Sequence, residues 1–497
     1  MKIQFDQMNN IKIKNIYGPV QQPVSLLAFH SKRVKPEAAF FCLKGENFDG
    51  HEYVEEAIGY GATVIFGSDE ELFSRLQYVY NRTTFIVVEN VRSAMAHFSK
   101  YYFQSPDEEL KTIGVTGTNG KTTVAAYVRS LLTLLGLPTG SIGTTGIWSS
   151  SHKLDYKKST PTTPESLDLH QIFRDLRNQE DEGVVMEVSS IALDQCRVEG
   201  VQFDVAIHTN FSEEHLEYHR TIDHYRECKL RLFRQAHHRV VNIDDEGMAE
   251  ELMEMGTEGL LTYSLDKDSG ADLTASAIDV MEEGSVFELN YRGEKRSVFV
   301  PVYGTYNVAN VLSAVAAALH LGSSIEQILS VLPDLEGPEG RFQVIQTPLN
   351  QKVILDYAHT PVALNRLIEE VKKLNYNRLI VMIAGIGIRD FNKMPKMAAA
   401  IDGKADEVVV TVDHPGYHDP QIIVDQVMTG FKEPHTSNIH PTLTREEGVK
   451  CSMELGQTGD IILLTSGCIN NAQIVKGEEI PHSDEEIIES YFPHVAH

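Results

Sequence analysis

A glycine-rich segment followed by lysine and threonine contains the residue types that bind phosphate. The segment reads IGVTGTNGKTT, in which Gly117 and Gly120 precede Lys121 and Thr122. Glycines allow a tight turn whose N–H groups point at phosphate oxygens, and a following helix adds partial positive charge. Lys121 can then reach the β- and γ-phosphates, and the Thr122 hydroxyl can bind Mg²⁺. The segment predicts a nucleotide-phosphate site, although Val115 stands where the usual pattern has glycine.

Later segments add carboxylate, imidazole and amine groups. Glu187 lies near the end of the apolar run VVMEVSS, where α/β sheets bind ligands, so it is either an ion-pair residue or a Mg²⁺ ligand. The segment NFSEEHLEYH contains His215 and His219 among acidic residues, which indicates either a metal-binding group or the polar start of a helix. Lys229 follows on an amphipathic helix, and residue chemistry alone predicts that it is exposed.

The order of predicted strands and helices indicates an α/β protein with three domains. Residues 1–108 contain short strand-like and helical runs, and residues 109–337 begin with the phosphate loop. Residues 338–497 alternate apolar strands with helical patterns, which is typical of a parallel, doubly wound sheet. Loops at the strand ends of such a sheet bind ligands. In this region those loops contain Arg389, Asp390, Asp413 and His414.

Charge and cysteine content exclude several classes of protein. The 497 residues include 44 basic and 70 acidic side chains, for a formal net charge of −26. Because a polyanion is not attracted to nucleic acid or to an anionic membrane, we expect neither partner. The five cysteines form no CxxC pair, and no apolar run reaches the length of about 18 residues that a membrane span needs. We therefore expect reduced thiols and a cytoplasmic protein.

Nine short motifs occur in an order that resembles the Mur ligase family over nearly the whole chain. They are GVTGTNGKTT, TTPES, MEVSS, TNFSEEHLEYH, YRECKLRLF, YGTYNVAN, GPEGRF, LDYAHTP and PHSDEEI. The resemblance implies a UDP-substrate-binding N-terminal domain and a central P-loop ATPase-like mononucleotide-binding domain. It also implies a C-terminal Rossmann-like, doubly wound domain that binds an amino acid. The implied reaction uses ATP to add an amino acid to UDP-N-acetylmuramoyl-L-alanyl-D-glutamate through an acyl phosphate, in peptidoglycan precursor synthesis.

The resemblance also implies roles for individual residues. The residues that would bind ATP are Gly117, Thr118, Asn119, Gly120, Lys121, Thr122, Thr123, Asn307 and Arg341. Two Mg²⁺ ions are implied, with ligands from Thr122, Glu187, His215 and a carbamylated Lys229, and catalysis would use Lys121, Glu187, His215 and Lys229. The UDP substrate would contact Thr162, Thr163, Ser189, Gln195 and Arg197. The expected partners are a UDP-muramoyl peptide and an amino acid bound near Arg389, Asp390, Asp413 and His414, and we expect a monomer.

Several motifs depart from the family pattern. A DSRKV-like segment reads HSKRV at 30–34, and a GKGHE-like segment at 465–470 reads TSGCIN without its acidic residue. The Asp-Asn-Pro-Arg motif, whose arginine pairs with the distal carboxylate of meso-diaminopimelate, ends here in Gly416. We therefore expect an acceptor other than meso-diaminopimelate. Two alternatives remain: a Mur-family ligase for another acid and amine, of folylpolyglutamate or natural-product type, and a non-catalytic nucleotide-binding relative.

Overall fold

The computed structural model describes residues 2–8, 10–45, 48–156, 162–338, 340–467 and 472–492. The chain divides into two compact units. The first comprises Met1–Ser264, Ser269–Asp272 and Ser313–Ile328, and the second comprises Leu265–Asp268, Leu273–Leu312 and Leu329–His497. Across the described ranges, every helix is too short or too polar to cross a membrane.

The N-terminal part of the first unit is built on a five-stranded sheet. The strands of this part of the chain are β1 (Lys2–Gln4), β2 (Ile13–Tyr17), β3 (Gln21–Pro23), β4 (Leu26–Ala28), β5 (Ala38–Phe41), β6 (Ala62–Gly67) and β7 (Thr84–Val88). Its helices are α1 (Val54–Gly59), α2 (Glu70–Val79) and α3 (Val91–Tyr102). The sheet order is β2-β7-β6-β5-β4, parallel except for β2, while β1 and β3 form a separate antiparallel pair. Phe40 and Phe41 point into different hydrophobic clusters, so both faces of this sheet are buried.

The rest of the first unit contains a larger, mostly parallel sheet. Its strands are β8 (Lys111–Thr116), β9 (Thr139–Gly143), β10 (Gly146–Trp148), β11 (Lys153–Leu154), β12 (Gly183–Glu187), β13 (Phe203–His208), β14 (Ala236–Asn242) and β15 (Leu260–Ser264). Its helices are α4 (Lys121–Leu134), α5 (Ser166–Asn178), α6 (Ser190–Asp194), α7 (Leu216–His219), α8 (Ile222–Arg234) and α9 (Ala249–Glu254). The order β11-β10-β9-β12-β8-β13-β14-β15 places β8 between β12 and β13. The ends of these three parallel strands therefore bring their loops to one edge of the sheet.

The second unit contains three antiparallel strands and a further α/β sheet. The antiparallel strands are β16 (Leu273–Val280), β17 (Ser285–Tyr291) and β18 (Glu294–Val300). The helices that follow in the chain are α10 (Thr305–His320) and α11 (Ile325–Val331), and each contains residues of both units because Ser313–Ile328 belong to the first. The later strands are β19 (Gln343–Gln346), β20 (Lys352–Asp356), β21 (Leu379–Ile386), β22 (Glu407–Asp413), β23 (Ile439–Pro441), β24 (Ile461–Thr465), β25 (Ala472–Val475) and β26 (Glu478–Pro481). The later helices are α12 (Pro361–Val371), α13 (Lys393–Ile401), α14 (Pro420–Met428), α15 (Arg445–Leu455) and α16 (Asp484–Tyr491). Short 3-10 helices elsewhere in the chain are Phe5–Gln7, Ser31–Arg33, Gly50–Tyr53, Pro106–Glu109 and Leu332–Asp334.

The C-terminal sheet has the order β19-β20-β24-β21-β22-β23, and all its neighbours are parallel except β19 and β20. One hydrophobic cluster joins it to α12, α13 and α14, and another joins it to α15 and α16. Helices therefore cover both faces, which confirms the predicted α/β class and the doubly wound C-terminal sheet. The antiparallel strands β16 to β18 were not predicted.

A buried ion pair fixes the end of β24. Arg445, the first residue of α15, is fully buried, and its Nη2 lies 2.6 Å from Oδ2 of Asp484 at the start of α16. Its guanidinium also donates to the carbonyl oxygens of Thr465 and Ser466. One arginine thus connects two helices to the loop that follows the central strand β24.

Candidate functional site

The glycine-rich loop runs from the end of β8 to the start of α4, as the sequence predicts. Gly117 has φ +152°, and a Cβ atom there would collide with the Thr209 hydroxyl oxygen. Gly120 has φ +87° at the N-cap of α4, a left-handed conformation that favours glycine. Thr122 and Thr123 follow in the first turn, where Thr122 is half-buried and Thr123 is buried. The loop therefore leads directly into a helix N-terminus, the arrangement that binds anions.

The segment after β13 holds this loop in place. The N–H of Thr118 donates to the carbonyl oxygen of Asn210 at 2.8 Å, and the N–H of Asn119 donates to the Asn210 side chain at 2.9 Å. The Thr209 hydroxyl donates to the carbonyl oxygen of Asn119 at 2.6 Å. The sequence analysis did not single out Thr209 or Asn210, although both belong to the motif that contains His215.

Two lysines converge on one carbonyl oxygen of the loop. Lys121 Nζ donates to the carbonyl oxygens of Gly117 at 2.7 Å and Thr118 at 2.9 Å. Lys229 Nζ donates to the same Gly117 oxygen at 2.9 Å. The expectation of an exposed Lys229, drawn from residue chemistry alone, is wrong, because the side chain is only 1% exposed. The helix α8 turns this part of its polar face toward the loop, which helical periodicity by itself does not reveal.

Burial changes the acid–base properties of Lys229. Desolvation lowers the pKa of its ammonium group well below the usual 10.5, and the nearby Lys121 lowers that pKa further. The Nζ atom lies 4.7 Å from the ring centroid of Tyr225, one helical turn earlier on α8. Burial and the neighbouring Lys121 therefore both shift Lys229 toward its neutral amine.

Tyr225 connects the loop to His215. Its hydroxyl lies 3.2 Å from the Thr118 hydroxyl, and its ring centroid lies 6.3 Å from that of His215. His215 is the N-cap of α7 with φ +57°, and its side chain is 44% exposed. The carboxylates of Glu214 and Glu217 lie 3.8 and 3.4 Å from its ring nitrogens. His215 is thus close to the loop and remains accessible.

Glu187 is the last residue of β12 and is buried with a defined orientation. Its two carboxylate oxygens accept hydrogen bonds from Thr144, at 2.7 Å from the backbone N–H and 3.2 Å from the hydroxyl. Gly143 packs directly against this carboxylate, since a Cβ atom there would lie 2.9 Å from the Glu187 carboxyl carbon. The hydroxyl oxygens of Thr144 and Thr162 lie 3.4 Å apart. Thr144 is a site residue that the sequence analysis missed.

The remaining residues predicted to bind the UDP substrate form a connected network. Thr163 donates to the Glu187 carbonyl oxygen at 2.9 Å and accepts from the Ser189 N–H at 3.1 Å. Arg197 donates to the Thr163 carbonyl oxygen at 3.0 Å and to the Gln195 side chain at 2.8 Å. The structure therefore brings together the predicted UDP-substrate residues and Glu187.

Two charged residues missed by the sequence analysis support this network. Glu165, in the TTPES motif, is buried, and its Oε1 lies 3.2 Å from Arg197 Nε. Its Oε2 lies 3.1 Å from Nη1 of Arg92, at the start of α3. The pairing of Glu165 with Arg92 is a long-range contact that local sequence does not encode.

In the second unit, Asn307 and Arg341 lie near aromatic residues. Asn307 is buried and donates from Nδ2 to the Tyr303 carbonyl oxygen at 2.9 Å. The guanidinium of Arg341 lies 5.6 Å from the ring centroid of Tyr357. The rings of Tyr303 and Phe342 are stacked, with centroids 5.6 Å apart.

The four residues predicted to bind an amino acid lie at the end of β22 or shortly after the ends of β21 and β22. Arg389 and Asp390 are exposed, whereas Asp413 is buried and accepts from the Gln473 side chain at 2.8 Å. His414 Nδ1 accepts from the Ile474 N–H at 2.9 Å. Asp413 and His414 therefore hold the β25–β26 hairpin in place. The predicted loss of an acidic residue near Asn470 lies outside the described residues.

The backbone at Gly416 favours glycine. It has φ +61°, and a Cβ atom would lie 2.8 Å from the Ile388 side chain. Its N–H donates to the Ile474 carbonyl oxygen at 3.0 Å. An arginine at this position would have to adopt a left-handed backbone and displace Ile388.

The sequence matches known protein families along most of its length. The profile described as "Mur ligase middle domain" matches residues 115–318, "Mur ligase, glutamate ligase domain" matches residues 340–468, and "Mur ligase family, catalytic domain" matches residues 23–103. Among solved structures, a UDP-N-acetylmuramoyl-L-alanyl-D-glutamate–2,6-diaminopimelate ligase is similar with a TM-score of 0.71 and 28% identity, covering 99% of each chain. A folylpolyglutamate synthase of Mycobacterium tuberculosis, at 16% identity and a TM-score of 0.58, covers 76% of this chain and 93% of its own and shows likeness of fold alone.

Full-length relatives show the same family. A UDP-N-acetylmuramoyl-L-alanyl-D-glutamate–2,6-diaminopimelate ligase of Clostridium acetobutylicum is 34% identical over 481 residues, covering 97% of this chain and 98% of the relative. The enzyme of that name from Clostridium tetani is 32% identical over 493 residues, covering 98% of each chain. The three matching family profiles and these relatives show that the chain belongs to the Mur ligase family and is a ligase of that family.

Proposed function

We propose that this protein uses ATP to attach an amino acid to UDP-N-acetylmuramoyl-L-alanyl-D-glutamate. The observation that carries the proposal is the convergence of Lys121 and Lys229 on the Gly117 carbonyl oxygen. A phosphate loop that ends in Lys121 suits a reaction in which several negative charges must approach one another, and the buried amine of Lys229 beside it suits the modification proposed below. The names of the full-length relatives support the same substrate.

ATP is proposed to bind with its phosphates on residues 117–123. Lys121 now donates to two loop carbonyl oxygens, and the same ammonium can turn to phosphate oxygens when a nucleotide is bound. Asn307 and Arg341 are proposed as further ATP contacts, as the family motifs imply.

The residues near the loop fit Mg²⁺. Glu187 and Thr122 offer the oxygen ligands that Mg²⁺ prefers, and Thr144 holds the Glu187 carboxylate in one orientation. His215, which is accessible beside the loop, is proposed for a second ion. The bound ions would supply charge neutralisation for the phosphates and for the developing oxyanion.

Lys229 is proposed to be carbamylated. A neutral amine can attack carbon dioxide, forming an N–C bond and releasing one proton to give an N-carboxylate. Burial favours the neutral amine of Lys229. Without the modification, the amines of Lys121 and Lys229 both donate to the Gly117 carbonyl oxygen. Carbamylation would instead place an anion beside the Lys121 ammonium, which is electrostatically favourable. The carbamate oxygens would also serve as ligands for the second Mg²⁺.

The proposed reaction has two steps on the acid substrate. The substrate carboxylate attacks the γ-phosphorus of ATP, which breaks the bond to ADP and forms an acyl phosphate. The amine of the amino acid then attacks the acyl carbon, loses a proton and expels phosphate to leave an amide. Lys121 stabilises the transferring phosphoryl group, while Thr163, Ser189, Gln195 and Arg197 hold the UDP substrate with its carboxylate in reach.

The acceptor is proposed to be an amino acid other than meso-diaminopimelate. Arg389 and Asp390 are exposed and suited to the α-carboxylate and α-amine that every amino acid shares. Gly416 offers no guanidinium for a second carboxylate, and its backbone favours glycine. The relatives are named as diaminopimelate ligases, so the acceptor requires a direct test.

We also propose three domains, at 1–108, 109–337 and 338–497, and a monomer that acts in the cytoplasm. Within the structurally described part of the chain, the cysteines Cys42, Cys196, Cys228 and Cys451 are free, which suits a reducing compartment.

The test offers purified protein, ATP and Mg²⁺ to a panel of UDP-muramoyl peptides, folate-type acids and all common amino acids together with meso-diaminopimelate. Products are identified by mass, and phosphate release is measured in parallel. We expect one amino acid to be added to UDP-N-acetylmuramoyl-L-alanyl-D-glutamate and no turnover for Lys121→Ala, with Lys450→Ala as an exposed control. Absence of any UDP-linked amide would refute the function, and preferential incorporation of meso-diaminopimelate would overturn the acceptor argument alone.

A further inference from the structure

A second group of potential metal ligands lies between α6 and α8. Asp194 is the last residue of α6, and His224 and Cys228 are four residues apart on α8. Residues four apart on a helix project from the same face, so both side chains of α8 can reach one point. Neither Asp194, His224 nor Cys228 has a role in the ligase reaction proposed above.

The three side chains have the spacing of ligands around one small ion. His224 Nε2 lies 3.3 Å from Asp194 Oδ1 and 3.6 Å from Cys228 Sγ, and Cys228 Sγ lies 3.7 Å from Asp194 Oδ1. A tetrahedral Zn²⁺ has bonds of about 2.0–2.1 Å to nitrogen, about 2.0–2.2 Å to oxygen and about 2.3 Å to sulfur, which places its ligand atoms roughly 3.3 to 3.7 Å apart. All three distances therefore lie within the range of edges of a zinc tetrahedron.

Neighbouring residues pack against the His224 ring and orient the carboxylate. His219, at the end of α7, has Nδ1 3.2 Å from His224 Nδ1, and atoms of His219, His224 and Cys228 lie within 4.8 Å of one another. The Tyr218 hydroxyl donates to Asp194 Oδ2 at 2.9 Å, which leaves Oδ1 directed at the cluster. Such outer contacts fix metal-binding side chains.

An ion could reach these side chains from solvent, and the nearby arginine competes only weakly for the carboxylate. The His224 side chain is 40% exposed, so an ion can enter from solvent, while Cys228 is buried. Arg231 Nη1 lies 3.7 Å from Asp194 Oδ1, which is longer than a hydrogen bond and therefore a weak competitor.

We propose that Asp194, His224 and Cys228 bind one Zn²⁺ ion, with water as the fourth ligand. The thiol of Cys228 releases its proton as the zinc–sulfur bond forms. Sulfur and imidazole ligands favour Zn²⁺ over Mg²⁺, which requires oxygen ligands, so this site is chemically distinct from one at the phosphate loop. The ion would connect α6 to α8 immediately before Gln195 and Lys229.

The test uses the full chain, reduced and treated with chelator, and adds Zn²⁺ alone. Calorimetry measures affinity and stoichiometry, and Co²⁺ substitution reports a thiolate charge-transfer band in the absorption spectrum. We expect one ion per chain and a thiolate band in the wild type and in Cys451→Ser, a control cysteine on α15. Cys228→Ser should abolish the band. His224→Asn should weaken Zn²⁺ binding by at least about tenfold, because losing even a residue that only contacts a metal ligand typically costs that much affinity.

Because the His224 side chain is partly exposed, its replacement tests the site without a change in the buried core. Circular dichroism establishes that each variant is folded. Wild-type protein that binds no Zn²⁺, or folded Cys228→Ser and His224→Asn variants that bind it with wild-type affinity, would overturn the proposal. This outcome is separate from the ligase reaction, because no nucleotide or substrate is present.

Discussion

Replacing Gly143 by alanine tests how closely activity depends on the position of Glu187. The added Cβ would lie 2.9 Å from the Glu187 carboxyl carbon, whereas ordinary van der Waals contact begins at 3.4 Å, and Oε1 is closer still. The carboxylate must therefore move away from β9. It would then lose the hydrogen bonds that both oxygens accept from Thr144.

The expected effect is larger on activity than on stability. The colliding atoms belong to the end of a flexible side chain, so the fold can adjust by rotating Glu187, at a cost of about 1–3 kcal/mol for buried groups left without a hydrogen bond. Displacements on the order of 1 Å in a positioning group can cost about 100-fold in rate. We therefore expect Gly143→Ala to fold but to lose roughly that factor in kcat/KM, with a higher Mg²⁺ requirement.

The assay measures acceptor-dependent phosphate release over a range of Mg²⁺ concentrations, with thermal unfolding of the same samples. Gly59→Ala is the matched control, since a Cβ at Gly59 meets nothing within 4 Å. If Gly143→Ala retains the wild-type rate and Mg²⁺ dependence, the position of the Glu187 carboxylate does not limit the reaction and its proposed role is wrong.

Two further variants test the buried charges. Lys229→Ala should lose activity by about 100-fold or more, and added short-chain carboxylates should partly restore it. The control variant Lys450→Ala should behave as the wild type. Full activity of Lys229→Ala without rescue would exclude Lys229 from the site. Burial alone would raise the pKa of Asp484, but Arg445 holds it below the ordinary 3.8, so the pair stabilises the protein above that pH and the contribution is lost as pH falls. Asp484→Asn should therefore lower the free energy of unfolding by about 3–5 kcal/mol at neutral pH. Denaturant titration measures this loss, with the exposed Glu489→Gln as the control. A loss of stability that grows below pH 4 would contradict the expected pH dependence.

The sequence by itself determined the phosphate loop, the α/β class and the doubly wound C-terminal sheet. These features are local: Gly117, Gly120 and Lys121 are close in sequence, and apolar runs predict strands wherever both faces of a sheet are buried. The motif set also predicted the family, because many short patterns in order are far more specific than any one of them.

The family resemblance implied a shared site, but the contacts between its residues are visible only in the tertiary structure. Lys229 lies 112 positions after Gly117, and the burial that lowers its pKa comes from packing that helical periodicity does not contain. Thr144 and Glu187 meet because β9 and β12 are neighbours in the sheet, although 43 residues separate them.

The cluster of Asp194, His224 and Cys228 has the same origin. Its α8 members are four residues apart and visible in the sequence, but the carboxylate comes from the end of another helix. Local sequence fixes which elements form, whereas the order of strands in a sheet and the packing of helices fix which side chains meet, since those depend on contacts between distant parts of the chain.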